Sequence, residues 1–281
     1  LLAAVRRLHA GDYTARVTDI KSGDELGELA KVFNEMAART EQSVADLQRN
    51  DALRRELVAN ISHDLRTPLA SIEGYTETIL LKQHLLSEDE RQKYLHTILK
   101  NTRSLKRLVS ELFELSKLEA CQTVPKPEPF SLTELVQDVL LKLAPEAQAR
   151  TIVLEGTWPP ALPFACADIG LIERVLQNLL DNALRYTPAG GRVLVTVALP
   201  DKHRRIPLLV TDTGRGIASQ DLPHVFDRFY RSDQVREKSR DGLGLGLAIA
   251  QRIVNLHDGN LTVSSREGEG TCFAFSLPMY N

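Results

Sequence analysis

Apolar residues recur at spacings of three and four near the start of the chain, where Leu26, Leu29, Phe33, Met36, Val44 and Leu47 form one stripe from Glu25 onward. That period matches the turn of an α-helix and predicts a packed helix that pairs with another. Residues 48–51 interrupt the stripe. It resumes at Leu53, Leu57, Ile61, Leu65, Leu69 and Ile72 on a shifted phase, the pattern of a phase slip in a coiled coil. A second amphipathic helix is predicted over 88–119, with Leu95, Ile98, Thr102, Leu105, Val109 and Leu112 on one side and charges opposite. The two helices form a hairpin, and one apolar face on each cannot enclose a core. Pairing two hairpins into a four-helix bundle is the natural remedy, so the sequence predicts a homodimer. Residues 1–10 read as a helix end that Gly11 and Asp12 break.

Beyond residue 121 the period changes repeatedly. Pro125, Pro127 and Pro129 hold themselves and their predecessors extended, which predicts a linker over 122–130. Helices at 131–149 and 168–185 and one after Gly246 then alternate with strands at 151–155, 192–198, 206–211, 261–264 and 272–277. Such an order predicts an α/β sandwich. The 281 residues, 43% hydrophobic, supply enough apolar material for two or three units. Thirty-five basic and 37 acidic residues are closely mixed and leave a net charge of −2, which gives no electrostatic case for nucleic acid or an anionic membrane. Cys121, Cys166 and Cys272 lie far apart, without the spacings of a zinc site or redox pair, and fit a reducing compartment. No apolar run approaches the roughly 20 residues that cross a bilayer.

Within the resumed stripe lies Ser62-His63-Asp64-Leu65-Arg66-Thr67-Pro68-Leu69. His63 stands roughly 160–200° around the helix from Ile61 and Leu65, so it is expected to face solvent, with Thr67 and Asn60 on the same outward face. Pro68 withholds the amide that the Asp64 carbonyl would otherwise accept, which predicts a bend beside the histidine. A neutral imidazole is a nucleophile suited to attack on phosphorus, and Asp64 is the nearest group to orient the ring or take its proton. On geometry alone, an exposed histidine without chemical role is an equal reading.

Asn178, Asn182 and Arg185 fall along one side of the helix that ends at Tyr186. Two amide oxygens can help hold Mg²⁺, and the guanidinium can meet a phosphate, although a plain polar helix face has the same pattern. Asp212-Thr213-Gly214-Arg215-Gly216 follows an apolar strand and sets a carboxylate where it can accept from a base amino group. Glycines there let a base approach closely. Phe226 to Arg231 precede a charged stretch ending in Gly242-Leu243-Gly244-Leu245-Gly246, and such a loop entering a helix suits an anionic triphosphate. The glycines do not match the dinucleotide fingerprint, and no phosphate-loop Gly-Lys-Ser/Thr occurs. These absences exclude ordinary dehydrogenases and phosphate-loop ATPases.

The order of these pieces resembles the sensor histidine kinases of two-component systems over nearly the whole chain. The resemblance implies a HAMP signal-relay module over 1–48 with a short first helix, carrying Asp24-Glu25-Leu26-Gly27. It implies a dimerisation and phosphotransfer hairpin over 49–121, a linker over 122–130, and a catalytic ATP-binding domain over 131–281 similar to the gyrase, heat-shock chaperone and mismatch-repair ATPases. It further implies His63 as phosphoacceptor, Asp64 as acid/base partner, and Thr67 as the residue that positions water when a partner is dephosphorylated. Asn178 to Tyr186 is similar to the family's asparagine box, Asn178 and Asn182 serving Mg²⁺. Asp212, Gly214 and Gly216 resemble the first glycine box with Asp212 on adenine, and Gly242, Gly244 and Gly246 the second. Arg231 matches a position that contacts the terminal phosphate, and Thr271 lies in the closing segment behind the nucleotide. Leu243 departs from the pattern, standing where many relatives carry a small hydroxyl residue.

The implied function is transfer of phosphate from ATP to His63 and on to an aspartate of a response regulator receiver domain, with phosphatase action on that regulator. The HAMP likeness implies the cytoplasmic portion of a bacterial inner-membrane protein. Two alternatives stay open on the residues alone: a nucleotide-binding relay that transfers no phosphate, and an ATPase whose work is conformational.

Overall fold

The computed structural model describes residues 1–18, 25–82, 85–119, 123–230 and 244–280, excepting the side chains at 25, 50, 52–54, 56, 57, 60, 63 and 119. The chain divides into two compact units, Leu1–His63 and Asp64–Asn281.

In the first unit α1 (Leu2–His9) is joined by an extended segment to α2 (Glu25–Leu81), a helix of 57 residues that continues into the second unit. Ala4, Phe33 and Ala37 form a small buried cluster with Leu8 and Val17 against it. The extended segment is tied to α2 by Asn34, whose Oδ1 accepts from the Val17 amide at 2.8 Å and whose Nδ2 donates to the Val17 carbonyl at 3.0 Å. These two bonds satisfy a backbone that no sheet would satisfy. Helix α2 runs without a break through both residues 48–51 and Pro68.

In the second unit α2 is followed by α3 (Glu88–Glu119). The start of α3 is fixed by a capping box: the Glu90 amide donates to Ser87 Oγ at 3.2 Å, and the Ser87 amide donates to the Glu90 carboxylate at 3.0 Å. Asn101 donates to Ser71 Oγ at 2.9 Å, and the Tyr75 and Tyr94 rings lie 5.1 Å apart, which joins the two helices as a hairpin. Several apolar positions of the predicted stripes stay open on this single chain, including Leu69 at 55% and Leu95 at 50% exposure.

The sandwich that follows consists of β1 (Glu128–Phe130), α4 (Leu132–Ala149), β2 (Val153–Thr157), β3 (Ala165–Ala167), α5 (Ile169–Tyr186), β4 (Arg192–Val197), β5 (Arg205–Asp212), a 3₁₀ turn (Leu222–His224), α6 (Gly246–Leu256), β6 (Thr262–Arg266) and β7 (Gly270–Pro278). Five strands form one sheet in the order β2-β4-β5-β7-β6, parallel between β2 and β4 and antiparallel elsewhere. Strands β1 and β3 make a separate antiparallel pair. The end of the proline-rich stretch is thus a strand, and Pro129 is admitted because β1 pairs on one side only.

Alternation places Val193, Val195 and Val197 of β4, Ile206, Leu208 and Val210 of β5, and Phe273, Phe275 and Leu277 of β7 on one buried face. The apolar side of α5 (Ile172, Val175, Leu176, Leu179, Leu180 and Leu184) and Ile249 and Ile253 of α6 are buried with them. Each fully buried aliphatic side chain stabilises the fold by roughly 1.5–3 kcal/mol, which makes this layer the main support of the sandwich. Among the described residues no helix is long and apolar enough to cross a membrane.

Candidate functional site

The same alternation that builds the core ends in chemistry. On β5 the buried series Ile206, Leu208, Val210 continues to Asp212, and on β7 the series Leu277, Phe275, Phe273 continues to Thr271. Asp212 and Thr271 are register partners, so two apolar rows finish side by side in a carboxylate and a hydroxyl. Asp212 is 4% exposed, and its Oδ1 accepts from the Gly214 amide at 2.8 Å. Burial pushes the Asp212 carboxyl above its usual range, while amide bonds from Gly214 and Thr271 oppose the shift. Thr271 Oγ1 lies 3.0 Å from Ser265 Oγ, and the Ser265 hydroxyl donates to the Gly270 carbonyl at 2.6 Å.

The glycines around this carboxylate are required by space. A side chain at Gly214 would stand 2.6 Å from Asp212 Oδ1 and 2.7 Å from the Tyr186 carbonyl. Gly216 has φ +71°, and a Cβ there would collide with the Arg266 carbonyl oxygen. The first glycine segment is thereby pressed between the last turn of α5 and the β6–β7 turn.

Helix α5 begins where Asp168 Oδ1 accepts from the Leu171 amide at 3.1 Å, a cap that sets the helix phase. Asn178 is buried at 8% exposure, and among the described residues its Nδ2 has no hydrogen-bond partner. Leaving a buried amide unpaired costs about 1–3 kcal/mol, so the position calls for a polar ligand or water. Gly246, the first residue of α6, faces it: a Cβ there would lie 3.5 Å from Asn178 Oδ1. Gly244 has φ +68°, and its carbonyl accepts from the Phe229 amide at 3.0 Å.

The structure therefore brings Asp212, Gly214, Thr271 and the Tyr186 backbone together at one end of α5, and Asn178 with Gly246 two turns earlier. Asn182 lies between them on the same side of the helix, half-buried like Arg185 and Tyr186. Arg185 is close enough to α3 for its charge to act on Glu111, whose carboxyl is raised by burial and partly lowered by Arg107, Arg174 and Arg185. Arg174 of α5 makes a two-nitrogen ion pair with Glu114 of α3, its Nε donating at 3.0 and 3.2 Å, and Arg252 Nε of α6 donates to the Leu118 carbonyl at 3.2 Å. Arg231, Gly242 and Leu243 lie outside the described residues, as does the His63 side chain on α2. Asp64 is half-buried and Thr67 exposed.

The donor set fits a nucleotide with magnesium. A buried carboxylate can accept from an exocyclic amine, an unpaired amide lies beside a glycine helix entrance, and the glycines leave room that side chains would fill. Among the described residues no group of three or more His, Cys, Asp or Glu side chains can hold an ion by itself. Magnesium here would share amide oxygens with phosphates and water.

A helix-backed five-stranded sheet with this cleft, following a helical hairpin, defines an α/β sandwich of the nucleotide-binding class. Three family descriptions match in succession: the HAMP domain over residues 1–42, the His Kinase A (phospho-acceptor) domain over 53–121, and the histidine kinase-, DNA gyrase B- and HSP90-like ATPase over 167–281. The chain is 31% identical over 99% of its length to sensor histidine kinase YclK of Bacillus subtilis, spanning 58% of that protein. It is 30% identical over 98% of its length to the adaptive-response sensory kinase SasA of Microcystis aeruginosa, spanning 71% of it. Among solved structures, histidine kinase ThkA in complex with response regulator protein TrrA superposes with a TM-score of 0.64 at 25% identity, covering 92% of this chain and 68% of that one. The chain belongs to the sensor histidine kinases.

Proposed function

We propose that the chain is the signal-relay, dimerisation and catalytic portion of an ATP-dependent protein-histidine kinase that phosphorylates His63. The observation that carries the proposal is the α5 cleft, with the buried Asp212 carboxylate at one end and the unpaired Asn178 amide beside Gly246 at the other. Asp212 selects the base through its amino group, with Gly214, Gly216 and Thr271 shaping the floor. Asn178, Gly244 and Gly246 receive the phosphates together with Gly242, and Arg185 and Arg231 balance their charge. Bound Mg²⁺, shared by Asn182 and Asn178, would draw negative charge from the phosphate oxygens.

In the transfer a neutral His63 nitrogen forms a bond to the terminal phosphorus as the bridging oxygen leaves with ADP. Asp64 takes the proton from the other ring nitrogen. The phosphoryl group then passes to an aspartate of a response regulator, a partnership of the kind the ThkA–TrrA complex records. Thr67, exposed on α2, positions water for the reverse hydrolysis on that regulator. The open stripe at Leu69 and Leu95 supports a homodimer, in which a second hairpin covers it. Signal enters as a change of helix phase or tilt through 25–60. The HAMP match over 1–42 supports attachment to the cell membrane through a transmembrane helix of the parent protein, with this portion on the cytoplasmic side.

Incubating the chain with labelled ATP and Mg²⁺ tests the reading. Wild type is expected to take up label, Asn182→Ala to lose it while remaining dimeric, and His63→Gln to lose it while still binding ATP. Labelling of Asn182→Ala at the wild-type rate would refute the magnesium assignment, and ATP turnover without protein label would favour a conformational ATPase.

A further inference from the structure

One exposed cation at the base end of the cleft has no role in the account above. Arg215, between the two glycines of the Asp212 segment, places its guanidinium carbon 4.6 Å from the centroid of the Tyr186 ring. Among the described residues the ring is the partner that the structure gives this side chain, for no carboxylate pairs with it. Its backbone is held on both sides: the Arg215 amide donates to the Tyr186 carbonyl at 3.4 Å, and the Arg215 carbonyl accepts from the Gly268 amide at 2.6 Å. Neighbouring Gly214 and Gly216 are each packed against fixed backbone, at Tyr186 and Arg266 respectively. A long side chain thus springs from a backbone held on both sides directly onto one ring.

Resting on the nucleotide reading of this cleft, we infer that Arg215 is a positioning residue that clamps the Tyr186 ring as the stacking platform for the base bound at Asp212. Two physical effects lead to this. A guanidinium over an aromatic face is attracted by the ring quadrupole and restricts the rotation of the side chain, so the ring is ordered before the ligand arrives. Drawing electron density toward one face also leaves the other better suited to an electron-rich purine. Tyr186 ends α5 and its carbonyl lies against Gly214, which puts the ring's residue beside the segment that carries Asp212. The charge of Arg215 acts through the ring and not on the phosphates, which belong near Asn178 and Gly246 two turns away along the helix.

The test is calorimetric titration of ATP with Mg²⁺ into the 281-residue chain for wild type, Arg215→Leu, Arg215→Lys, Tyr186→Leu and the Arg215→Leu/Tyr186→Leu double variant. Arg215→Leu is expected to weaken ATP by about two- to fivefold, the range of an exposed cation–π contact. Arg215→Lys is expected to recover at least half of that loss on a logarithmic scale. In the Tyr186→Leu background, removing Arg215 is expected to change nothing further. Binding by Arg215→Leu equal to wild type overturns the inference alone. An undiminished Arg215→Leu effect without the Tyr186 ring also overturns it, because the charge then acts directly on the nucleotide. Failure of wild type to bind ATP overturns the nucleotide reading itself and the inference with it.

Discussion

Gly214→Ala puts the proposed base pocket under the smallest possible perturbation, one methyl group. Gly214 does not lie in the left-handed region, so the backbone accepts alanine and only space is at issue. The new Cβ would stand 2.6 Å from Asp212 Oδ1 and 2.7 Å from the Tyr186 carbonyl oxygen, both well inside contact distance. The carbonyl belongs to the last turn of α5 and also accepts from the Arg215 amide, so the carboxylate is the group that yields. Its rotation breaks the 2.8 Å bond from the Gly214 amide and leaves a 4%-exposed carboxylate short of a donor. Hydrogen bonds to charged groups contribute about 1.5–3 kcal/mol, and in a domain of this size roughly 2–4 °C of Tm accompanies each kcal/mol. Differential scanning calorimetry should therefore show a Tm lowered by about 3–12 °C. ATP affinity, read by titration at a temperature where the variant is folded, should fall by at least about tenfold, because the displaced acceptor is the one proposed to read the base. The matched control is Gly246→Ala, whose Cβ meets Asn178 Oδ1 at an ordinary 3.5 Å and should leave the fold intact. A folded Gly214→Ala protein that binds ATP within twofold of wild type would refute the role given to Asp212.

Asp212 also yields a pH prediction. Its carboxyl is raised from the usual 3.8, so the native state binds this proton more tightly than the unfolded chain. The stability it contributes is fully present below 3.8 and is lost as pH rises through the raised value, and above that window the buried charge is a cost. Asp212→Asn, which keeps the accepting oxygen and removes the charge, should match or exceed the wild-type Tm at pH 7 while losing ATP affinity; a lower Tm with unchanged affinity contradicts this. The Arg174–Glu114 pair, with its side chains 31% and 26% exposed, should contribute about 1 kcal/mol to holding α5 against α3. Glu114→Arg or Arg174→Glu alone should lower the unfolding midpoint in urea, and the double reversal should recover part of the loss; additive losses in the double variant would show that the pair does not act as a pair.

Much of this was legible from periodicity. The three- and four-residue spacing after Glu25 and after Glu88 announced the two long helices because each carries one apolar stripe, and alternation announced β4, β5 and β7. Asp212 was legible for a more specific reason: it continues the inward parity of Ile206, Leu208 and Val210, which places a carboxylate on a core face where only a function or a partner justifies it. The proline-rich stretch concealed β1, since Pro129 removes a donor that an edge strand does not need. The phase slip read at residues 48–51 leaves α2 continuous, because a shift of helical phase changes the face presented without ending the helix. The Arg215–Tyr186 stack and the Arg174–Glu114 pair had no local signal. Each joins residues whose proximity depends on tertiary packing, and no spacing rule along a strand or helix relates them.

The central claim is that phosphorus moves from ATP to a ring nitrogen of His63. Its most direct test is the chemical stability and position of the label on the chain after exposure to γ-labelled ATP. The account predicts a label lost in acid, kept in alkali, and mapped by mass spectrometry to the peptide containing His63. An acid-stable label, or one that persists undiminished in His63→Gln, contradicts it.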